Sequence, residues 1–76
     1  MEKIIEIIKR IKPMAVFDEN TNLIDEHILD SLAMVSLVTE LCEEFDIEIS
    51  PFDVVPENFA TVKEIDELVK RIEEDD

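Results

Sequence analysis

Ile4, Ile5, Ile7, Ile8 and Ile11 open the chain as a stripe with the i, i+3, i+4, i+7 spacing of a helix that buries one face. Glu2, Lys3, Glu6, Lys9 and Arg10 take the wet side, and Pro13 closes the helix. Residues 13 to 30 then form a long acidic connection with scattered apolar positions, Val16, Phe17, Leu23, Ile24, Ile28 and Leu29. Connections of that length in small domains are functional or well tied down, and these six positions are the expected anchors.

A second helix is expected from about Ser31 to Phe45, with Asp30 or Ser31 as its N-cap. At about 100° per residue, Met34, Leu37, Val38, Leu41 and Phe45 fall within one inward arc. Leu32, Val35 and Thr39 fall outside it and form a second stripe pointing away from the core. Ser50-Pro51 reads as an N-cap followed by a first-turn proline. It predicts a turn or two of helix before Phe59, interrupted around Pro56. Thr61-Val62-Lys63-Glu64 is a capping box, in which Thr61 and Glu64 satisfy each other's free amides. The last helix it opens runs through Ile65, Leu68, Val69 and Ile72, and frays over Glu73 to Asp76.

The chain has 76 residues, no glycine and three prolines. Tight hairpins usually need glycine, so its absence favours an all-α fold. One domain, residues 1–76, is expected, with a thin core and no room for a deep active site. Such a chain suits a protein that presents one residue at its surface. No apolar run approaches the roughly 18 residues of a membrane span, and charges interrupt the opening helix too often for a signal peptide. A soluble, cytoplasmic monomer is expected.

Charge narrows the partners. There are 21 acids against 7 bases, for a net charge of −14. Nucleic acid and anionic membrane would repel such a surface, and basic patches on other proteins would attract it. Between Pro13 and Val62 there are twelve acids and no Lys or Arg, so the middle of the chain is the electrostatic face.

Candidate chemistry is sparse. Asp18-Glu19-Asn20-Thr21-Asn22 begins like a calcium loop, but Leu23, Asp25 and Leu29 stand where such a loop needs Gly, an apolar residue and the bidentate Glu. Turn chemistry explains the Asp and Asn residues better. Cys42 is the only thiol, so there is no internal disulfide. Mid-helix, it reads as a partly buried packing residue. His27, the lone histidine, reads as a solvated loop residue. No catalytic constellation and no metal ligand set emerges.

Leu29-Asp30-Ser31-Leu32 is left. A serine at a helix start holds its hydroxyl at a fixed surface position, and the first-turn amides there favour a nearby phosphate. The stripe Leu32, Val35, Thr39 begins beside it and offers a partner something apolar to grip. Glu40, Glu43 and Glu44 flank the stripe and would steer a basic partner to the serine.

The run from Leu23 to Leu32, with Leu37, Leu41 and Glu43-Glu44-Phe45 after it, resembles the phosphopantetheine attachment region of acyl carrier proteins. Ile47-x-Ile49 and Pro56-Glu57-Asn58-Phe59-Ala60-Thr61-Val62 resemble that family's third-helix region and the start of its last helix, so the likeness covers nearly the whole chain in order. It implies a four-helix bundle with a long first loop and a short third helix. It implies that Ser31 accepts 4′-phosphopantetheine from coenzyme A through a separate phosphopantetheinyl transferase, with Asp30 helping to hold the transferase's magnesium. The terminal thiol of that arm, not Cys42, would carry the cargo as a thioester. An acyl- or aminoacyl-activating ligase and acceptor enzymes would be the further partners, and the chain itself would not be an enzyme. Two features depart from fatty-acid carriers. Leu29 precedes Asp30, with Ala33, Met34 and Ser36 after Ser31, and His27 stands where relatives commonly have glycine, which suggests left-handed backbone there. The Ile28-Leu29-Asp30-Ser31-Leu32 form is more like freestanding D-alanyl and aminoacyl carriers, or specialised acyl carriers. The rival reading from the residues alone is an acidic helical adapter that uses the same stripe and is never modified.

Overall fold

Four helices carry the chain in the computed structural model: α1 (Glu2–Ile11), α2 (Ser31–Phe45), α3 (Pro56–Phe59) and α4 (Val62–Glu74), with a 3-10 turn at Pro51–Asp53. Residues 1–75 are described, and among them there is no strand. The all-α expectation holds, including the long first loop and the one-turn α3.

α1 follows its isoleucine stripe. Ile4, Ile7 and Ile8 are fully buried, and Ile5 and Ile11 pack half-buried against the same core. Lys9 and Arg10 sit in its last turn, where positive charge suits the carbonyl end of the helix. α1 packs on α2 and α4, and α3 packs on α4.

The connection from α1 to α2 is anchored more selectively than its apolar content suggests. Leu23, Ile28 and Leu29 are buried, and Phe17 and Ile24 pack half-buried on the core. Val16 does not anchor: it is 93% exposed. The Leu23 carbonyl accepts both the Ile28 N–H (2.9 Å) and the Leu29 N–H (3.0 Å), so one buried residue organises the turn before α2. With a radius of gyration of 11.3 Å, close to the ~11 Å of a compact chain this long, the loop lies against the helices.

In α2, Ala33, Leu37 and Leu41 are buried, while Met34, Val38 and Phe45 are half-buried against the core. The inward arc therefore sits further towards Ala33 than the sequence pattern places it. α2 ends at Asp46, which takes left-handed backbone (φ 53°) and returns its N–H to the Cys42 carbonyl. Ser50 caps the 3-10 turn by accepting the Phe52 N–H at 3.2 Å. Val54 and Val55 interrupt the helix, and Pro56 then starts α3, whose Phe59 is fully buried.

α4 starts at the expected box. Thr61 Oγ1 accepts the Glu64 N–H at 3.2 Å, but among the described residues Glu64 does not return the bond. Contrary to expectation Glu73 and Glu74 remain helical, and Asp76 lies outside the described residues.

Candidate functional site

The head of α2 is built by Asp30. Its backbone is extended and its Oδ1 accepts the Ala33 N–H at 2.8 Å, which satisfies one of the free amides that open any helix. Its Oδ2 lies 3.2 Å from Lys12 Nζ, just past the end of α1. The Ala33 amide first, and the Lys12 ammonium second, hold the Asp30 carboxyl below its ordinary value of 3.8.

Ser31 is thereby set as the first residue of α2, exposed to solvent. Among the described residues no group hydrogen-bonds its hydroxyl. Leu32, 82% exposed, and Val35, 66% exposed, stand beside and one turn below it, and Thr39 is exposed on the next turn. The outward stripe of Leu32, Val35 and Thr39 lies where the helical spacing predicts.

The flanking acids divide. Arg10 Nη2 lies 3.2 Å from Glu40 Oε1, and Lys3 Nζ lies 4.0 Å from Glu44 Oε1, so both glutamates face α1 and are paired with it. Glu43 is exposed and, among the described residues, in no ion pair. At about 100° per residue Glu43 also shares the arc of Leu32 and Thr39, whereas Glu40 and Glu44 lie on the flank of Ala33. Of the three, only Glu43 presents its charge beside the apolar stripe.

A groove that the sequence does not announce runs down α2 below Ser31. Met34, Val35, Val38 and Thr39 form one wall, and Ile49, Pro51 and Val54 form the other, around about 470 Å³. It opens on the half-buried side of α2, where Met34 and Val38 face a gap as well as the core. Phe52, 91% exposed, stands on the neighbouring 3-10 turn and adds apolar surface outside the predicted stripe. Ser31 precedes Met34, the first residue of α2 to line the groove, by three positions, so its hydroxyl lies about one helical turn above it.

The other candidates resolve into local structure. Asp18 Oδ1 accepts the Asn20 N–H (2.8 Å) and the Thr21 hydroxyl (3.2 Å), which hold its carboxyl below 3.8. Asn22 Oδ1 accepts the Ile24 and Asp25 amides. The oxygens that look like cation ligands in sequence are thus used in turns. His27 is exposed with φ 60°, the left-handed backbone suggested by its place in the sequence. Cys42 is half-buried.

The family model described as "Phosphopantetheine attachment site" matches residues 2–72. The D-alanyl carrier proteins of Bacillus cereus (strain B4264) and Bacillus anthracis (strain CDC 684 / NRRL 3495) are each 35% identical to the chain over 75 residues, covering 96% of it and 91% of the relative. No solved structure matches the chain. With a family match over nearly its full length and full-length relatives that share more than a third of its residues, the chain belongs to the phosphopantetheine carrier proteins, which are not enzymes and whose cofactor is a covalently attached 4′-phosphopantetheine.

Proposed function

We propose that Ser31 is the attachment residue and that the protein carries an activated acyl or aminoacyl group, held as a thioester on the arm's thiol, to partner enzymes. The observation that carries this reading is the head of α2. A free serine hydroxyl is fixed there by an Asp30 cap, with exposed Leu32 and Val35 beside it and an apolar groove below. Ser36 and Ser50 lack that combination, since Ser36 lies within α2 and the Ser50 oxygen caps the 3-10 turn.

An aminoacyl cargo is favoured, with D-alanine the first to test, because full-length relatives are D-alanyl carriers. A cytoplasmic setting goes with that reading, and no helix among the described residues is long and apolar enough to cross a membrane. The partners are a phosphopantetheinyl transferase, a ligase that activates the cargo, and an acceptor enzyme. Each would grip Leu32, Val35 and Thr39 and meet Glu43 with a base, and Glu40 and Glu44 would contribute once released from Arg10 and Lys3. The carrier acts as a monomeric single domain.

Intact mass spectrometry after incubation with coenzyme A, magnesium and a broad-specificity transferase tests the assignment. Wild type gains one phosphopantetheine and Ser31→Ala gains none. Attachment at Ser36 or Ser50 would overturn it. A chain that stays unmodified yet still binds a partner through Leu32 and Val35 would restore the adapter reading.

A further inference from the structure

We propose that Lys12 is the counter-ion of the arm's phosphodiester, bridging it to Asp30 and fastening α1 to α2 more firmly in the modified protein than in the unmodified one. The inference rests on Ser31 as the attachment residue and goes beyond it. It starts from a problem of charge. A phosphodiester on Ser31 adds a negative charge directly beside the Asp30 carboxylate, in a stretch with no Lys or Arg from Pro13 to Val62. Left alone, two adjacent like charges repel, and the net charge of −14 makes the site worse.

Among the described residues, Lys12 is the base that the structure places against Asp30, beside Ser31. Lys3 and Arg10 are engaged by Glu44 and Glu40, and Glu40 lies about 13 Å along the helix axis from Ser31. Lys12 is already at the head of α2, its Nζ 3.2 Å from Asp30 Oδ2. Asp30 and Ser31 are consecutive, with Cα atoms about 3.8 Å apart, which is within the sweep of a lysine head. An ammonium has three donors and the Asp30 contact uses one, so Lys12 can hold Asp30 and a phosphate oxygen together. Lys12 is half-buried and lines a cleft of about 240 Å³ with Ile11, Asp30, Leu32, Ala33 and Ser36, which holds its head at Asp30, the residue before Ser31. The first-turn amides of α2 would attract the phosphate as well, but that contribution belongs to the backbone and does not depend on Lys12.

The test separates the two contributions by comparing unmodified and modified protein for wild type, Lys12→Met and Lys12→Arg. Methionine keeps the packing of the stem, and arginine restores the charge. The readouts are the change in Tm on modification and the 31P chemical shift of the phosphodiester. Lys9→Met, which removes an exposed base from α1, is the control. The stabilisation that accompanies modification should be retained in Lys12→Arg and Lys9→Met and should shrink in Lys12→Met, whose phosphorus resonance alone should shift. Because each variant is compared with its own unmodified form, loss of the Lys12–Asp30 contact itself cancels. Equal modification shifts and equal phosphorus resonances in wild type and Lys12→Met, with the arm shown by peptide mass to be on Ser31, would overturn the role of Lys12 alone. An arm found on another serine would overturn the Ser31 assignment and this inference with it.

Discussion

The backbone N–H of Leu23 donates to the Ala60 carbonyl at 2.6 Å, joining the middle of the first loop to the junction of α3 and α4. Leu23 is fully buried, and its own carbonyl holds the Ile28 and Leu29 amides that lead into Asp30 and Ser31. One leucine thus connects the far end of the chain to the placement of the candidate serine. Leu23→Ala should cost about 2–5 kcal/mol in urea unfolding. Val16→Ala, on a side chain that touches solvent, should stay within about 0.5 kcal/mol. Equal losses for the two would mean that the loop is held by its general apolar content rather than by this pin.

Left-handed backbone at His27 (φ 60°) predicts an unusual response to substitution. A residue with a Cβ is strained there and glycine is not, although glycine also enlarges the entropy of the unfolded chain. His27→Gly should therefore gain up to about 1 kcal/mol, and His27→Val should lose about 1 kcal/mol or more, since branching at Cβ is least tolerated in this region. The Gly–Val difference in urea midpoint is the measurement. A valine variant as stable as the glycine one would show the turn relaxing out of this conformation.

The sequence made the helices and the head of α2 legible because both rest on local rules. The Ile4–Ile11 stripe follows helical period, and the Asp30, Ser50 and Thr61 caps follow from short polar side chains before helical runs. Ala33 was missed because a small residue carries little hydrophobic signal, although it is buried beside Leu37. Val16 was misread for the opposite reason: apolar residues are common on surfaces, and nothing local tells an anchor from a bystander. The pairings Arg10–Glu40 and Lys3–Glu44 depend on the register of α1 against α2, which no single-helix pattern contains. They explain why two of the three expected steering acids are partly neutralised.

Charge should still limit the fold. Of the twelve acids between Pro13 and Val62, only Asp30, Glu40 and Glu44 are in ion pairs among the described residues. The unpaired ones repel over a distance that salt screens to about 8–10 Å near physiological strength. Tm should rise as NaCl is added from low ionic strength. A flat or falling curve would mean that the cross-helix pairs, which salt weakens, outweigh the repulsion.

Acid should remove what Asp30 contributes. Its folded carboxyl titrates below the ordinary 3.8, so its stabilisation is present in full above that value and is lost as pH falls through the lower, folded one. Asp30→Asn keeps a capping oxygen for Ala33 but lacks the charge that Lys12 meets. Wild type should be the more stable at neutral pH, and the gap in Tm should narrow as the pH is lowered below 3.8. A gap that is constant across the range would assign the effect to side-chain geometry and leave the ionised carboxylate without a part in it.

The two faces of α2 should separate folding from docking. Leu37 and Leu41 are fully buried, so either one changed to Ala should cost about 2–5 kcal/mol. Val35 is two-thirds exposed and Leu32 more so; changing either to Ala should cost about 1 kcal/mol or less while slowing modification by the transferase. The acids refine this comparison. Glu43→Lys reverses an unpaired charge beside the stripe, so it should slow modification with little change in Tm. Glu40→Lys also breaks the 3.2 Å pair with Arg10 and sets two bases against each other, so it should lower Tm as well. The informative pair is therefore Glu43→Lys against Glu40→Lys, with modification rate and Tm measured on the same preparations. If Glu43→Lys loads at the wild-type rate while Glu40→Lys does not, partners approach along the α1 flank of the helix, and the docking face must be moved from the Leu32–Thr39 stripe to the side lined by Glu40 and Glu44.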